Sequence, residues 1–339
     1  MNAFETFTNS KTGEKISLRF REFTSDDVAG FIDCIRDEYG ETYWNPDVYE
    51  PEKIIEDSSS EQNKYFVAES KDGKIVAVLA LKKSLPRENY CEICYGITSK
   101  QFRNFGIMRR FFTYVLEQAR SMKNIYAEYC SAVLYHDITS KLLERVGFVP
   151  TGFEFSQDII EGKLNSFDES GNVKRPYGIL IRAVDKIDAG KIYLPRELSS
   201  TAEKIYQDLN VNVKILNRGS DLNSESKFFF TYDEPQKNCE IEIDSPGYDL
   251  REKIESLQNQ FRDPDQTFNI YLNVSHSGAV DAYKILKDMK YFCTGFKPIC
   301  SDREILIMHN AGNVSVDLYS LSLTEKFSAL RDFIINGRN

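Results

Sequence analysis

Histidine is almost missing from this sequence: His136, His276 and His309 are its three copies. No two of them stand at chelating spacing, and no second cysteine pair accompanies Cys91 and Cys94 in "CEIC", so the usual sequence signature of a zinc site is absent. A three-residue separation on a strand puts two thiols on opposite faces, so the expectation is buried strand cysteines and no metal. Seven cysteines, an odd number with irregular spacing, exclude a disulfide framework and fit reduced thiols. A basic excess is also lacking. The net charge of -9 excludes a surface built for general nucleic-acid binding, which needs cations to release counterions. No run of about 18 apolar residues occurs, so no membrane span is expected. The opening "MNAFETFTNSKTGEK" has no basic-then-apolar signal pattern. Together these absences predict a cytoplasmic protein.

What is present is ordinary globular material, 41% apolar and 28% charged over 339 residues, enough for two domains. "EKISLRFREF" predicts a strand over Ile16 to Arg21, followed by a helix with Thr24 at its N-cap and Asp26 and Asp27 in the first turn. "NKYFVAES" and "KIVAVLALKK", separated by "KDG", predict a hairpin on an Asp-Gly turn. "YCEICYGITS" predicts a further strand, Phe105 to Met122 a helix, "IYAEYCS" a strand and Asp137 to Val146 a helix. "GFVPTGFEFS" and "PYGILIRAV" complete a mixed sheet with helices, an α/β (α+β) class, and "DKIDAGK" reads as a linker.

The second half repeats part of this order. "SKLLERVGFVPTGFEF" (Ser140 to Phe155) realigns at a shift of 143 with "YKILKDMKYFCTGFKP" (Tyr283 to Pro298), pairing Thr151 with Thr294, Gly152 with Gly295 and Phe153 with Phe296. "SKFFFTYD" resembles "NKYFVAES", and a helix (Leu250 to Phe261) and a strand (Thr267 to Val274) follow it in matching order. The expectation is a duplicated fold with domains at 1–185 and 186–339, the second copy diverged. The oligomeric state stays open; a duplication can place a pseudo-dimer inside one chain.

"SKQFRNFGIMRRFF" (Ser99 to Phe112) is the most informative stretch. It carries Lys100, Arg103, Arg109 and Arg110, no acid, and one glycine, Gly106, at the opening of an amphipathic run. A turn running into a helix start offers free amides and the positive end of the helix dipole to an anion, and arginine adds a bidentate fork. The second copy has "DSPGYDLREKI" at this place, with Asp244 and Asp249 in it, and is not expected to bind an anion.

"ITSKQFRNFGIMRRFF", followed by "IYAEYC" and "HDITSKLLERVGF", resembles the GNAT superfamily of N-acetyltransferases over about Ile16 to Val184. The family loop, Arg/Gln-x-x-Gly-x-Gly/Ala, is represented by Arg103, Asn104, Phe105, Gly106, Ile107 and Met108. Gly147 and Phe148 fall in register with the family's later Gly-Phe. The resemblance implies that the loop amides hold the pyrophosphate of coenzyme A and that Tyr95, Gly96 and Ile97 line its pantetheine arm. It implies an acyl-CoA-dependent N-acyltransferase, with acetyl-CoA as the expected donor and direct attack of an amine on the thioester. The acceptor is a small-molecule or peptide amine, with no nucleic-acid or membrane partner. Three departures bear on this. Met108 replaces a small residue, His136 stands where the family has asparagine near the pantetheine, and Leu143 takes the place of the tyrosine that protonates the leaving thiolate. Glu92, Glu128 and His136 are the candidate bases for the attacking ammonium, and Tyr129 or Tyr135 could replace the missing tyrosine. Tyr43, Trp44 and Tyr49, in an aromatic segment after the first helix, are the candidate acceptor residues. The competing reading, favoured by Leu143 and Met108, is a catalytically inactive acyl-CoA-binding or sensor module.

Overall fold

The computed structural model describes residues 3–43, 45–84, 87–120, 122, 125–157, 175–184, 188–219, 222–234, 237–263, 266–300, 303–310 and 318–338. Among them no helix is long and apolar enough to cross a membrane. The chain packs as two compact units, Met1–Cys130 and Ser131–Asn339.

The first unit holds strands β1 (Glu5–Thr8), β2 (Lys15–Glu22), β3 (Asn63–Ser70), β4 (Ile75–Ser84), β5 (Arg87–Thr98) and the start of β6 (Ala127–Val133), side by side in chain order. Helices α1 (Val28–Tyr39), α2 (Pro51–Ser58) and α3 (Ile107–Ala119) accompany them. β1 lies in the opening segment that the sequence left unassigned; its pairing with β2 places it there. The β3–β4 hairpin turns at Gly73, whose φ of 83° suits glycine. Alternation along the strands makes two apolar layers. Val67, Val78 and Ala80 face Phe31 and Ile35 of α1 and Ile54 of α2, in a cluster of buried side chains. On another surface the Phe20 ring stacks on Phe111 of α3 at 5.0 Å.

The sequence places Thr24 at the N-cap of α1; in the structure Asp27 is that N-cap, and the 3-10 turn before it, Ser25–Asp27, is capped by Thr24. Its amide donates to the Asp27 carboxylate at 2.8 Å and its hydroxyl at 3.0 Å. Arg21 grips Asp27 with both terminal nitrogens, at 2.6 and 2.7 Å, and its Nε shares Glu69 with that of Arg19, each at 2.7 Å. The helix start is thereby tied to β2 and β3.

The second unit contains α4 (Ile138–Arg145), β7 (Val149–Gln157), β8 (Arg175–Ala183), β9 (Asp188–Tyr193), α5 (Arg196–Asp208) and β10 (Asn212–Leu216). It continues with β11 (Lys227–Asp233), β12 (Asn238–Ser245), α6 (Leu250–Gln260), β13 (Thr267–Asn273), α7 (Ala279–Asp288), β14 (Phe292–Cys300), β15 (Arg303–Asn310) and α8 (Glu325–Arg338). Its main strands lie in the order β8-β7-β14-β15-β13-β12-β11. "DKIDAGK" is not simply a linker: Asp188 to Lys191 belong to β9, which pairs in parallel with β10. Residues 185–187 lie outside the described residues.

The order hairpin, helix, parallel strand, helix, antiparallel pair occurs twice. β4, β5, α3, β6, α4, β7 and β8 run in the same sequence as β11, β12, α6, β13, α7, β14 and β15. The strand preceding the bend into α6 is β12, so the topological counterpart of β11 is β4 and not β3, where "NKYFVAES" lies. Within the second unit, two positions related by the shift of 143 meet: Gly152 of β7 is the register partner of Gly295 of β14. Glu154 and Lys297, related by the same shift, form an ion pair at 3.1 Å with both side chains largely buried. A Cβ on Gly152 would stand 2.8 Å from the Gly295 Cα and 3.0 Å from the Thr294 carbonyl, so only glycine fits.

Gly152→Ala should therefore lose ~1–3 kcal/mol of stability by overpacking, read from urea unfolding. A second expectation concerns acid. Burial opposes the charge of Asp27, but the Arg21 fork and the Thr24 amide outweigh it and hold its pKa below the ordinary value. Glu69 is held low chiefly by Arg19, with Arg21 adding to it against burial. Carboxylates lowered in the folded state contribute stability that is complete above about pH 4 and lost as pH falls through their folded values. Arg21→Met should cost ~1–2 kcal/mol at neutral pH for these partly exposed pairs, and its gap to the wild type should close in acid unfolding titrations.

Candidate functional site

β5 carries the geometry that organises the site. It pairs with β4 through Lys82↔Glu92, Leu81↔Ile93 and Ala80↔Cys94, and then again at Val78↔Ile97. One more residue is used on β5 than on β4, a β-bulge, and Tyr95 takes a φ of 56° there. The bulge sets two consecutive side chains, Cys94 and Tyr95, on the α1/α2 face, while Gly96 faces Phe112 of α3. On its other edge β5 pairs in parallel with β6 at three positions only, Tyr90↔Ala127, Cys91↔Glu128 and Glu92↔Tyr129. Beyond Glu92, β5 runs on to Thr98 with no pairing to β6 among the described residues. The edge of β5 at Tyr95, Gly96 and Ile97 is therefore not paired with β6 among the described residues.

At the far end of β5 a short 3-10 turn (Lys100–Phe102) leads to Asn104 and Gly106, both left-handed with φ of 69° and 72°. α3 starts directly after Gly106, later than Phe105 and ending at Ala119 rather than Met122. The left-handed glycine turns the chain sharply into the helix, and a Cβ there would touch nothing within 4 Å, so conformation rather than space selects glycine. The amides of Asn104, Phe105, Gly106, Ile107 and Met108 donate to no described residue. These five amides have no acceptor among the described residues, and the last two open the first turn of α3, where helix amides have no intrahelical partner. The loop is anchored from behind. The Ser10 amide donates to the Asn104 carbonyl at 2.9 Å, and the Lys100 amide donates to Asp37 at 2.5 Å.

The four cations of this stretch divide. Arg103 pairs with Glu38 of α1, and Arg110 with Glu5 of β1 at 2.8 Å. Lys100 and Arg109 are exposed and form no ion pair among the described residues. Two cations thus hold the loop and two remain available to an anion. Met108 is half-buried and Ile107 buried, so the helix start does not project both side chains outward.

Register separates the two candidate carboxylates of the first unit. Lys82, Glu92 and Tyr129 stand in one row across β4, β5 and β6, on the same face as Ala80 and Cys94. Glu92 is half-buried and accepts a hydrogen bond from the Tyr129 hydroxyl at 3.1 Å. Glu128, opposite Cys91, points to the other face and is fully buried. His136 belongs to the second unit, where its ring meets Tyr135 edge-on at 4.6 Å and its Nδ1 is buried with no hydrogen-bond partner among the described residues. Leu143 is fully buried in α4.

The aromatic segment comes to the same face as Glu92. The Tyr43 amide donates to the Tyr49 hydroxyl at 3.0 Å, and the Tyr43 ring lies 6.0 Å from that of Tyr95. Trp44 lies outside the described residues. Beneath these rings sits a polar knot that sequence reading missed. Lys82 donates to Asp57 and, at 3.1 Å, to the Tyr95 hydroxyl, and Tyr65 donates to the same Asp57 carboxylate. Burial opposes the Lys82 charge, but Tyr95, Cys94 and Asp57 outweigh it and raise its pKa. Burial pushes the Tyr65 phenol up, so it stays a donor. No sequence pattern links a helix-end aspartate to three strand residues; only the bulge brings Tyr95 to it. The thiols offer no nucleophile of lowered pKa. Burial pushes Cys34 up to about 11 and Cys130 up to about 12, and raises Cys91 and Cys94 as well. Lys82→Met would take the ammonium from Asp57, leaving that carboxylate only its neutral donors, and should lower stability by ~1–3 kcal/mol in urea unfolding.

Comparison with known proteins follows this geometry. Residues 28–148 match the Acetyltransferase (GNAT) family. Among solved structures, a spermidine N-acetyltransferase chimera from Vibrio cholerae is similar at 15% identity and a TM-score of 0.39, over 49% of this chain and 95% of its own. The ribosomal-protein-S5-alanine acetyltransferase from Vibrio fischeri is similar at 17% identity and 0.41, over 54% and 98%. A GNAT-family acetyltransferase from Staphylococcus aureus is similar at 15% and 0.37, over 50% and 99%. No curated protein matches the chain. The part of the chain that matches this family model, residues 28–148, contains β5, the start of β6 and the left-handed turn into α3.

Proposed function

We propose that the chain is an acyl-CoA-dependent N-acyltransferase, with acetyl-CoA as donor and a small-molecule or peptide amine as acceptor. The observation that carries this reading is the set of five amides from Asn104 to Met108, at the start of α3, that have no acceptor among the described residues. Coenzyme A fits the residues present. The amides and the helix dipole suit its pyrophosphate, Lys100 and Arg109 are cations without an internal partner among the described residues, and the β5 edge at Tyr95 to Ile97, which pairs with no described residue of β6, suits an amide-bearing arm. Acetyl-CoA, when bound, supplies the thioester whose C–S bond breaks as the new C–N bond forms.

In this reading Glu92 takes the proton from the attacking ammonium. It lies on the face that carries Tyr43, Tyr49 and Tyr95, and Tyr129 orients it through one hydrogen bond. Glu128, buried on the other face, is assigned no step. Tyr129 is also the hydroxyl best placed to return a proton, since Leu143 offers a hydrocarbon at the position of the usual acid. The domains at 1–185 and 186–339 are proposed as two copies, of which the second binds no cofactor. Two observations support that. β12 and β13 stay paired over six positions, Asn238↔Thr267 to Ile243↔Leu272, without a splay. The Asp249 carboxylate occupies the start of α6, where it accepts from the Ser226 amide at 2.7 Å.

Titration calorimetry with acetyl-CoA and with free coenzyme A tests the cofactor assignment. Binding to the wild type should be weakened in a Lys100→Glu/Arg109→Glu variant, and a wild type that binds neither compound rejects the reading. With an amine acceptor in hand, Glu92→Gln should lower kcat by ~10²–10⁴ while the calorimetric affinity for acetyl-CoA is unchanged. The buried Leu143 favours a second reading, an acyl-CoA sensor without turnover. Cofactor binding combined with no release of thiol across a broad amine panel would select it.

A further inference from the structure

β11 is the terminal strand of the second unit's sheet: β12 covers one of its edges, and no described strand pairs with the other. Soluble proteins normally break up such an edge with charges, proline or bulges. Here a register shift occurs only between Lys227 and Phe228, and the five residues Phe228 to Tyr232 carry no charge. Phe229 is 44% exposed and Phe230 40% exposed. On one face, Phe230 meets Phe261 at 5.8 Å and Tyr232 stacks on it at 4.2 Å, so this face ends in a shelf of rings beside the open edge.

The strand also reads as its own complement. In "KFFFTYD" a cation stands at one end and an acid at the other, equally far from Phe230. We propose that this edge pairs with the same edge of a second copy of the chain, as an antiparallel ribbon with its two-fold axis at Phe230. Phe230 then faces Phe230 of the second copy, Phe229 faces Thr231, Phe228 faces Tyr232, and Lys227 faces Asp233 at both ends. Cross-strand neighbours share a face, so the ring shelf of one copy continues into that of the other. Any shift of register separates both Lys227–Asp233 pairs. An isologous contact uses one edge from each copy and therefore closes at two chains. In the first unit the counterpart β4 is covered by β3, so the corresponding edge is not open there.

The test is sedimentation velocity on the full chain over a range of concentration. The expected result is a monomer of 39.1 kDa in equilibrium with a species of twice that mass. Lys227→Asp alone and Asp233→Lys alone each place like charges opposite one another twice, and each should weaken the dimer ~tenfold; the double exchange should restore it. Phe230→Arg, with two cations on the axis, should leave only monomer. If that variant fails to fold by circular dichroism, the charge exchange at the exposed strand ends still decides. A wild type that is monomeric throughout overturns the proposal. So does a dimer whose dissociation is unchanged in both single exchanges, which would place the contact elsewhere.

Discussion

The bulge in β5 is the constraint from which the rest of the candidate site follows. One extra residue opposite Leu79 forces Tyr95 into a left-handed conformation and puts it beside Cys94 on the same face. Without it, strict alternation would send the Tyr95 side chain toward α3, away from Lys82, Tyr65 and Tyr43. The conformation is unfavourable for a bulky residue, and the surroundings hold it. The Tyr95 hydroxyl meets Lys82, and its ring meets Phe31, Tyr65 and Tyr43 at 5.5 to 6.0 Å. Strain of this kind persists where packing over-determines it, and it gathers at functional sites.

The charges around the loop illustrate a division of labour between holding and offering. Glu38 and Glu5 neutralise Arg103 and Arg110 and fix the loop and α3 against α1 and β1. Asp37 caps the Lys100 amide. The remaining amides, from Asn104 to Met108, have no acceptor among the described residues; those of Ile107 and Met108 lie in the first turn of α3, where no intrahelical carbonyl is available.

The two copies of the topology resolve the same elements differently. Where β5 and β6 part after three paired positions, β12 and β13 stay joined over six. Where α3 opens on bare amides, α6 opens on Asp249, whose carboxylate takes the Ser226 amide and the Lys253 ammonium, the latter at 2.9 Å. Within the second unit, Gly152 and Gly295, related by the shift of 143, are register partners, and Glu154 and Lys297, related by the same shift, carry opposite charges and pair.

By itself the sequence determined most element types of the first 184 residues, because period-2 and period-3.6 patterns and turn residues are local properties, while it left β1 unassigned and read the start of β9 as a linker. The Asp-Gly hairpin, the Thr24 cap and the glycine opening α3 were all legible in that way. It also marked the basic turn, since a run of four cations without an acid stands out in an acidic chain. What it could not decide was which of Glu92 and Glu128 shares a face with the aromatic segment, because that depends on the register of β5 against β4 and β6. Nor could it tell a cation that anchors the loop from one that faces outward, since Glu38 and Glu5 are distant in sequence from Arg103 and Arg110. Only the tertiary structure decided these points, as it decided the Lys82–Asp57–Tyr65–Tyr95 knot: side-chain direction and long-range ion pairs are set by how strands align, and alignment is a property of the folded sheet.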